Sequence, residues 1–127
     1  MSENDIRKWL SNITETVKNK DLDNHMALIS ENVMVYGLPN GKTLSYADWE
    51  IRRKNEFQRN LIKEIAYNNL KIKNIGLRRL IFDIDEIIDG TSGDFAFIQK
   101  QIILEEEQDN KWRVVEEKIK NWKFLKG

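Results

Sequence analysis

The chain of 127 residues contains no cysteine, one proline and one histidine. Without thiols it can form neither a disulfide nor a cysteine-ligated metal site, and it has no thiolate nucleophile, so a reducing compartment is expected. The lone imidazole, His25, excludes a histidine metal cluster. Nothing in the spacing of serines and threonines builds a triad around it, so His25 reads as a surface or helix-packing residue. A surplus of one charge is also missing, because 21 Lys and Arg balance 21 Asp and Glu. No positive field therefore draws the protein to nucleic acid or to an acidic membrane. The densest basic stretch, Lys71, Lys73, Arg78 and Arg79, reads as a solvated strand face, and no nucleic-acid partner is expected. No apolar run approaches the ~20 residues needed to cross a bilayer. The first residues, Met1-Ser2-Glu3-Asn4-Asp5, lack the basic start and apolar run of an export signal. The expectations are no membrane partner and a cytoplasmic location. With no glycine-rich phosphate loop and no zinc-ligand spacing, no cofactor and no metal are expected.

What the chain has is hydrophobic periodicity, and 40% hydrophobic content is enough for one core. With no internal repeat or low-complexity tract, residues 1–127 read as a single domain. Ile6, Trp9, Leu10, Ile13 and Val17 make one helical stripe from Asp5 to Asn19. Asp21 is placed to cap a second short helix, with Leu22, Met26 and Ile29 on its stripe and an end near Asn32. Val33 to Tyr36 reads as a short strand, followed by Gly37 and the Asn40-Gly41 turn signal. Ser45 and Asp48 form a capping box for a third helix, along which Tyr46, Trp49, Arg53 and Phe57 recur at helical spacing. Beyond Asn60 come long β runs, at about Glu64 to Ile75, Arg78 to Ile88, Phe95 to Glu106 and Trp112 to Phe124. Their alternation predicts a meander of hairpins with apolar residues on both faces. One face would pack on the helices, and the other implies a homodimer.

Two stretches carry a family likeness. Lys20-Asp21-Leu22-Asp23 followed by Ala27-Leu28-Ile29-Ser30-Glu31-Asn32-Val33-Met34-Val35 is similar to the Gly-Asp-Leu-Asp, Ala-Leu-Phe, Asp-Asp-Ala and strand pattern of the nuclear-transport-factor-2-like superfamily, which includes SnoaL-like and ketosteroid-isomerase-like proteins. Asn40-Gly41-Lys42, and Lys111-Trp112-Arg113-Val114-Val115 opening the last strand, resemble further features of these proteins. The likeness spans about Asp5 to Phe124. It implies an α+β fold in which a curved antiparallel sheet forms a conical barrel around the N-terminal helices, with a pocket inside and a homodimer formed through the outer face. The scaffold hosts isomerases, cyclases, dehydratases, hydrolases and binding domains, so it does not fix a function. Laid on the steroid-isomerase pattern, Gly37 falls where the base belongs, Ile13 near the helix tyrosine, and an apolar residue close to Ile102 where a protonated acid belongs. The expectation is a shared fold without that chemistry.

The candidate site follows from polar residues on apolar faces. Arg53 lies on the core stripe of the third helix, where a guanidinium needs a carboxylate partner or a wet cavity. It reads either as an anchor for an anionic or carbonyl-bearing ligand or as half of an ion pair with Glu86, Glu116 or Glu117. Glu86 interrupts the face Leu80, Phe82, Ile84 and Ile88, which suits a carboxylate of raised pKa acting as a general base. Simple alternation puts Glu116 with Val114 and Trp122, and Glu117 with Val115 and Ile119, so one of the two faces inward. Glu86 and Glu116 are the catalytic candidates, with Lys100 or Lys118 as the alternative pairing partners of the strand acids. Trp9, Tyr36 and Tyr67 are placed to donate hydrogen bonds from an apolar wall, and Trp49 and Phe82 complete the expected ligand-binding set with Arg53. A small, largely apolar molecule is the expected partner, with isomerase, cyclase or dehydratase-like acid/base chemistry as one outcome. The alternative is a non-catalytic dimeric module whose cone is filled by aromatic side chains.

Overall fold

In a computed structural model, which describes residues 2–126, α1 (Glu3–Lys18) opens on a capping box in which Ser2 accepts from the Asn4 amide and Asp5 accepts from the Ser2 amide. The helix buries Ile6, Trp9, Leu10, Ile13 and Val17, the stripe expected of it, together with Thr16. α2 (Leu22–Met26) is capped by Asp21. It stops earlier than its stripe suggests, because Ile29 belongs to β1 (Ile29–Tyr36), where it pairs with Val114. The carbonyl of Leu28 is already engaged by the Val114 amide at 3.1 Å and the Trp9 indole at 3.0 Å, so it cannot continue a helix.

α3 (Tyr46–Gln58) has the second capping box, with Ser45 and Asp48 exchanging bonds. It buries Trp49, Arg53 and Phe57. β2 (Ile62–Ile75), β3 (Arg79–Gly90), β4 (Phe95–Glu106) and β5 (Trp112–Leu125) form the expected antiparallel meander. β1 adds to β5 in parallel, giving the order β1-β5-β4-β3-β2. The cone is therefore open, with β1 and β2 as edges, and the architecture is α+β.

The inner face of the sheet carries Leu80, Phe82 and Ile84 on β3 and Ile102 and Leu104 on β4, all buried against α1 and α3 side chains. Register places Ile81 opposite Ile103 and Ile87 opposite Phe97 on the outer face.

An irregularity in β5 decides which of its acids faces in. Glu116 pairs with Ile103 while Val114 pairs with Leu104, so Val115 is an extra residue in the ladder. Such a bulge reverses the alternation beyond it. Glu117, not Glu116, consequently shares the inner face with Val114.

Candidate functional site

At the open end of the helix layer, β2, β3, β4 and β5 each direct one polar side chain toward the inner face. Lys100 occupies the central strand, with Glu86 diagonal to it on β3 and Glu117 diagonal to it on β5. Its Nζ lies 3.0 Å from Glu86 Oε1 and 2.9 Å from Glu117 Oε1. All three are buried, at 6%, 3% and 4% exposure for Lys100, Glu86 and Glu117. From the directly opposite position on β2, the Tyr67 hydroxyl donates to Glu86 Oε2 at 2.9 Å. Arg53 enters from α3, where it bonds Glu56 at 2.5 Å and lies 5.9 Å from the centre of the Trp49 ring.

These contacts separate the two carboxyls. Burial works against the Glu86 carboxylate, but Lys100 and then Arg53 hold it below the usual range. Burial raises Glu117, and Lys100 counters this only in part because the Glu86 charge adds to the rise. Burial opposes the Lys100 ammonium, and Glu117 and Glu86 together keep it charged above the ordinary lysine range. It is therefore no free amine nucleophile. Tyr67 is pushed well up by burial and by the Glu86 charge, so it donates and stays neutral. One carboxyl held below the usual range beside one raised above it is the pairing that divides acid and base roles between like groups.

A cavity of about 80 Å³ opens over this cluster. Glu86, Lys100 and Glu117 line it with Arg53, and Leu38, Leu44 and Ile119 give it apolar walls. Arg53 is 9% exposed, and its Nε is buried without a hydrogen-bond partner. An orphaned buried donor costs about 1–3 kcal/mol.

The structure thus gathers Glu86, Arg53, Trp49 and Tyr67 in and around one site. Glu116 lies on the other side of the sheet with Lys118 as its neighbour at 3.9 Å, because of the Val115 bulge. Tyr36 pairs with Lys118 on that outer side and is 38% exposed. Trp9 is consumed by the core, its indole satisfied by Leu28, and Phe82 is fully buried away from the cavity. Lys100 and Glu117 take the places that Glu116 and Tyr36 were expected to fill. Lys100 was visible in the pattern, since it interrupts Ile98, Ile102 and Leu104 as Glu86 interrupts its own strand.

Of the two readings of His25, surface or helix packing, the structure has the second. It is fully buried, linked to Thr16 through Nδ1 at 3.0 Å and to the Trp49 indole through Nε2 at 3.1 Å. The three positions of the steroid-isomerase pattern bring no acid or base to the cavity. Ile13 and Ile102 are buried hydrocarbon, and the space beside Gly37 is closed by the backbone of Ile119.

No protein-family model and no curated protein sequence matches the chain. Solved structures do. An NTF2-like protein of unknown function from Shewanella oneidensis superposes with a TM-score of 0.77 at 18% identity, over 94% of this chain and 98% of that one. An NTF2-like protein from Cytophaga hutchinsonii gives 0.74 at 14% identity, over 94% and 98%. A candidate ketosteroid isomerase from Shewanella frigidimarina gives 0.69 at 12% identity, over 95% and 96%. The chain has the nuclear-transport-factor-2-like fold, as the sequence likeness implied. No helix among the described residues is long and apolar enough to cross a membrane.

Proposed function

We propose that this protein binds a small, largely apolar organic molecule in the cavity under α3, with Glu117 as the group that gives and takes a proton and Glu86 as the fixed anion that keeps Lys100 and Tyr67 in place. The observation that carries the reading is the orphaned Arg53 Nε beside two carboxyls of opposite shift, buried under apolar walls. Acids shifted by burial and by specific charge partners in a cleft mark functional sites more often than chance. Acid/base chemistry of the isomerase, cyclase or dehydratase kind suits such a pair. The filling of the inner cone by Trp9, Trp49 and Phe82 favours a second reading, a binding module without turnover. Both readings include a homodimer through the outer sheet face, which carries the cross-strand pairs Ile81–Ile103 and Ile87–Phe97. Both also place the protein in the cytoplasm, a reducing compartment that suits a chain without cysteine.

An NMR fragment screen tests the site. Hits that shift Leu38, Trp49 and Ile119 together, and that vanish in Arg53→Leu while the variant keeps its fold, support the proposal. A screen whose hits all map elsewhere removes it, as does an Arg53→Leu protein that takes up the same fragments unchanged.

A further inference from the structure

Charge bookkeeping around the cavity narrows the ligand class, and it rests on the binding role just proposed. The groups that face Glu117 come from four elements. Lys100 stands on the neighbouring β4 and Glu86 one strand further on β3, Tyr67 on β2, and Arg53 with Glu56 on α3. Arg52 sits at the mouth, exposed, and His25 behind α3 is a neutral imidazole. Arg53 is already matched by Glu56. Lys100 is one cation facing two carboxylates. With every acid ionised, the buried cluster therefore carries one negative charge too many.

An incoming carboxylate would add a second uncompensated anion to a site with little water, at a cost that protonation avoids. A neutral acceptor meets no such obstacle. Its oxygen meets the guanidinium of Arg53 at the cavity wall, and its carbon skeleton meets Leu38, Leu44 and Ile119. Size sets a further limit, since about 80 Å³ is well under the ~150 Å³ cavity that accepts benzene. A group of roughly four or five heavy atoms fills it.

From the single cation between two buried carboxylates and the unpaired Arg53 donor, we infer that this cavity selects uncharged molecules bearing one carbonyl or hydroxyl oxygen, and admits a carboxylate only together with one proton.

The isosteric pair 2-butanone and propionate tests this on the full-length protein. Binding is followed by the Arg53 Nε–H cross-peak and by calorimetry in two buffers of different ionisation heat. The expected result is that 2-butanone shifts the Arg53 signal equally at about pH 6 and about pH 8, with no net proton exchange. Propionate binding is expected to weaken by about tenfold per pH unit across that range and to take up one proton per molecule bound. In Glu117→Gln, which removes the surplus charge but leaves Lys100 its Glu86 partner, propionate is expected to bind without proton uptake and without the pH slope. Propionate that binds the unaltered protein as tightly at the higher pH, with no proton taken up, overturns the inference and leaves the binding site standing. Silence of the Arg53 signal toward both probes overturns the binding role and the inference together.

Discussion

The indole N–H of Trp49 donates to His25 Nε2 at 3.1 Å, and this one bond fixes the state of the only imidazole in the chain. An indole can only donate, so Nε2 is bare and the ring proton sits on Nδ1, facing the Thr16 hydroxyl. That hydroxyl in turn donates to the Ile13 carbonyl at 3.0 Å. α1, α2 and α3 are thereby tied through one neutral ring. Protonation would leave two N–H groups pointing at each other, and burial, with a smaller push from the Arg53 charge, lowers the pKa from 6.5 to about 3.

Acid sensitivity follows with a definite sign. The unfolded chain binds a proton at His25 below pH 6.5 while the folded chain refuses it until about 3. The stabilisation is therefore complete above the unfolded value and is lost as pH falls through that window. Urea midpoints of the unaltered protein should fall more steeply between about pH 6 and about pH 4 than those of His25→Gln, by roughly 1 kcal/mol per pH unit. Parallel curves would show that the ring is not held neutral.

The buried Lys100 predicts the opposite pH trend for its own removal. Lys100→Met leaves Glu86 and Glu117 facing each other without a cation, which for a buried pair costs about 3–5 kcal/mol. The loss should be largest at alkaline pH and should shrink in acid, where Glu117, already raised by burial, takes up a proton. Adding Glu117→Gln should recover part of the stability. Thermal unfolding of the three proteins at about pH 5 and about pH 8 measures this, and a loss that ignores pH would contradict the assignment of charges.

Much of this was legible in the residues. The stripe Ile6, Trp9, Leu10, Ile13 and Val17, the Ser45-to-Asp48 capping box and the four long strands follow from local sequence pattern, which helices and hairpins express directly. Arg53 and Glu86 announced themselves as charges on apolar faces. The choice between Glu116 and Glu117 did not, because it depends on an extra residue at Val115, and a bulge is a property of the paired ladder that one strand's sequence does not contain. His25 was hidden for a similar reason. Its partners Thr16 and Trp49 lie on different helices, and their meeting is set by helix packing, not by spacing.

Backbone constraint at the end of β1 gives another test. Gly37 has φ +83°, and a Cβ there would collide with the carbonyl oxygen of Ile119. Gly41 has φ +73° with open space around it. Gly37→Ala therefore combines left-handed strain with displacement of β5, where Ile119 walls the cavity, and should cost more than about 2 kcal/mol. Gly41→Ala carries the backbone strain alone, about 1 kcal/mol. Chemical denaturation of both variants decides it, and equal losses would mean that β1 and β5 are not held as closely as the structure has them.

The outer face of the sheet makes the last prediction. Ile81 with Ile103 and Ile87 with Phe97 form cross-strand pairs on the side away from the helices, separated by Asp83 opposite Gln101 and Asp85 opposite Gln99. Ile103 is already buried within one chain, but Ile81, Ile87 and Phe97 are only half-buried, and a second copy of the same sheet offers matching stripes to cover them. Light scattering at micromolar concentration should give twice the mass of one chain. Phe97→Lys places an ammonium in the middle of that surface while leaving the inner face untouched, so it should halve the mass at unchanged cooperativity of unfolding. A protein that is already monomeric before the substitution would refute the dimer, and the outer pairs would then have to be stabilising the sheet by cross-strand contact alone.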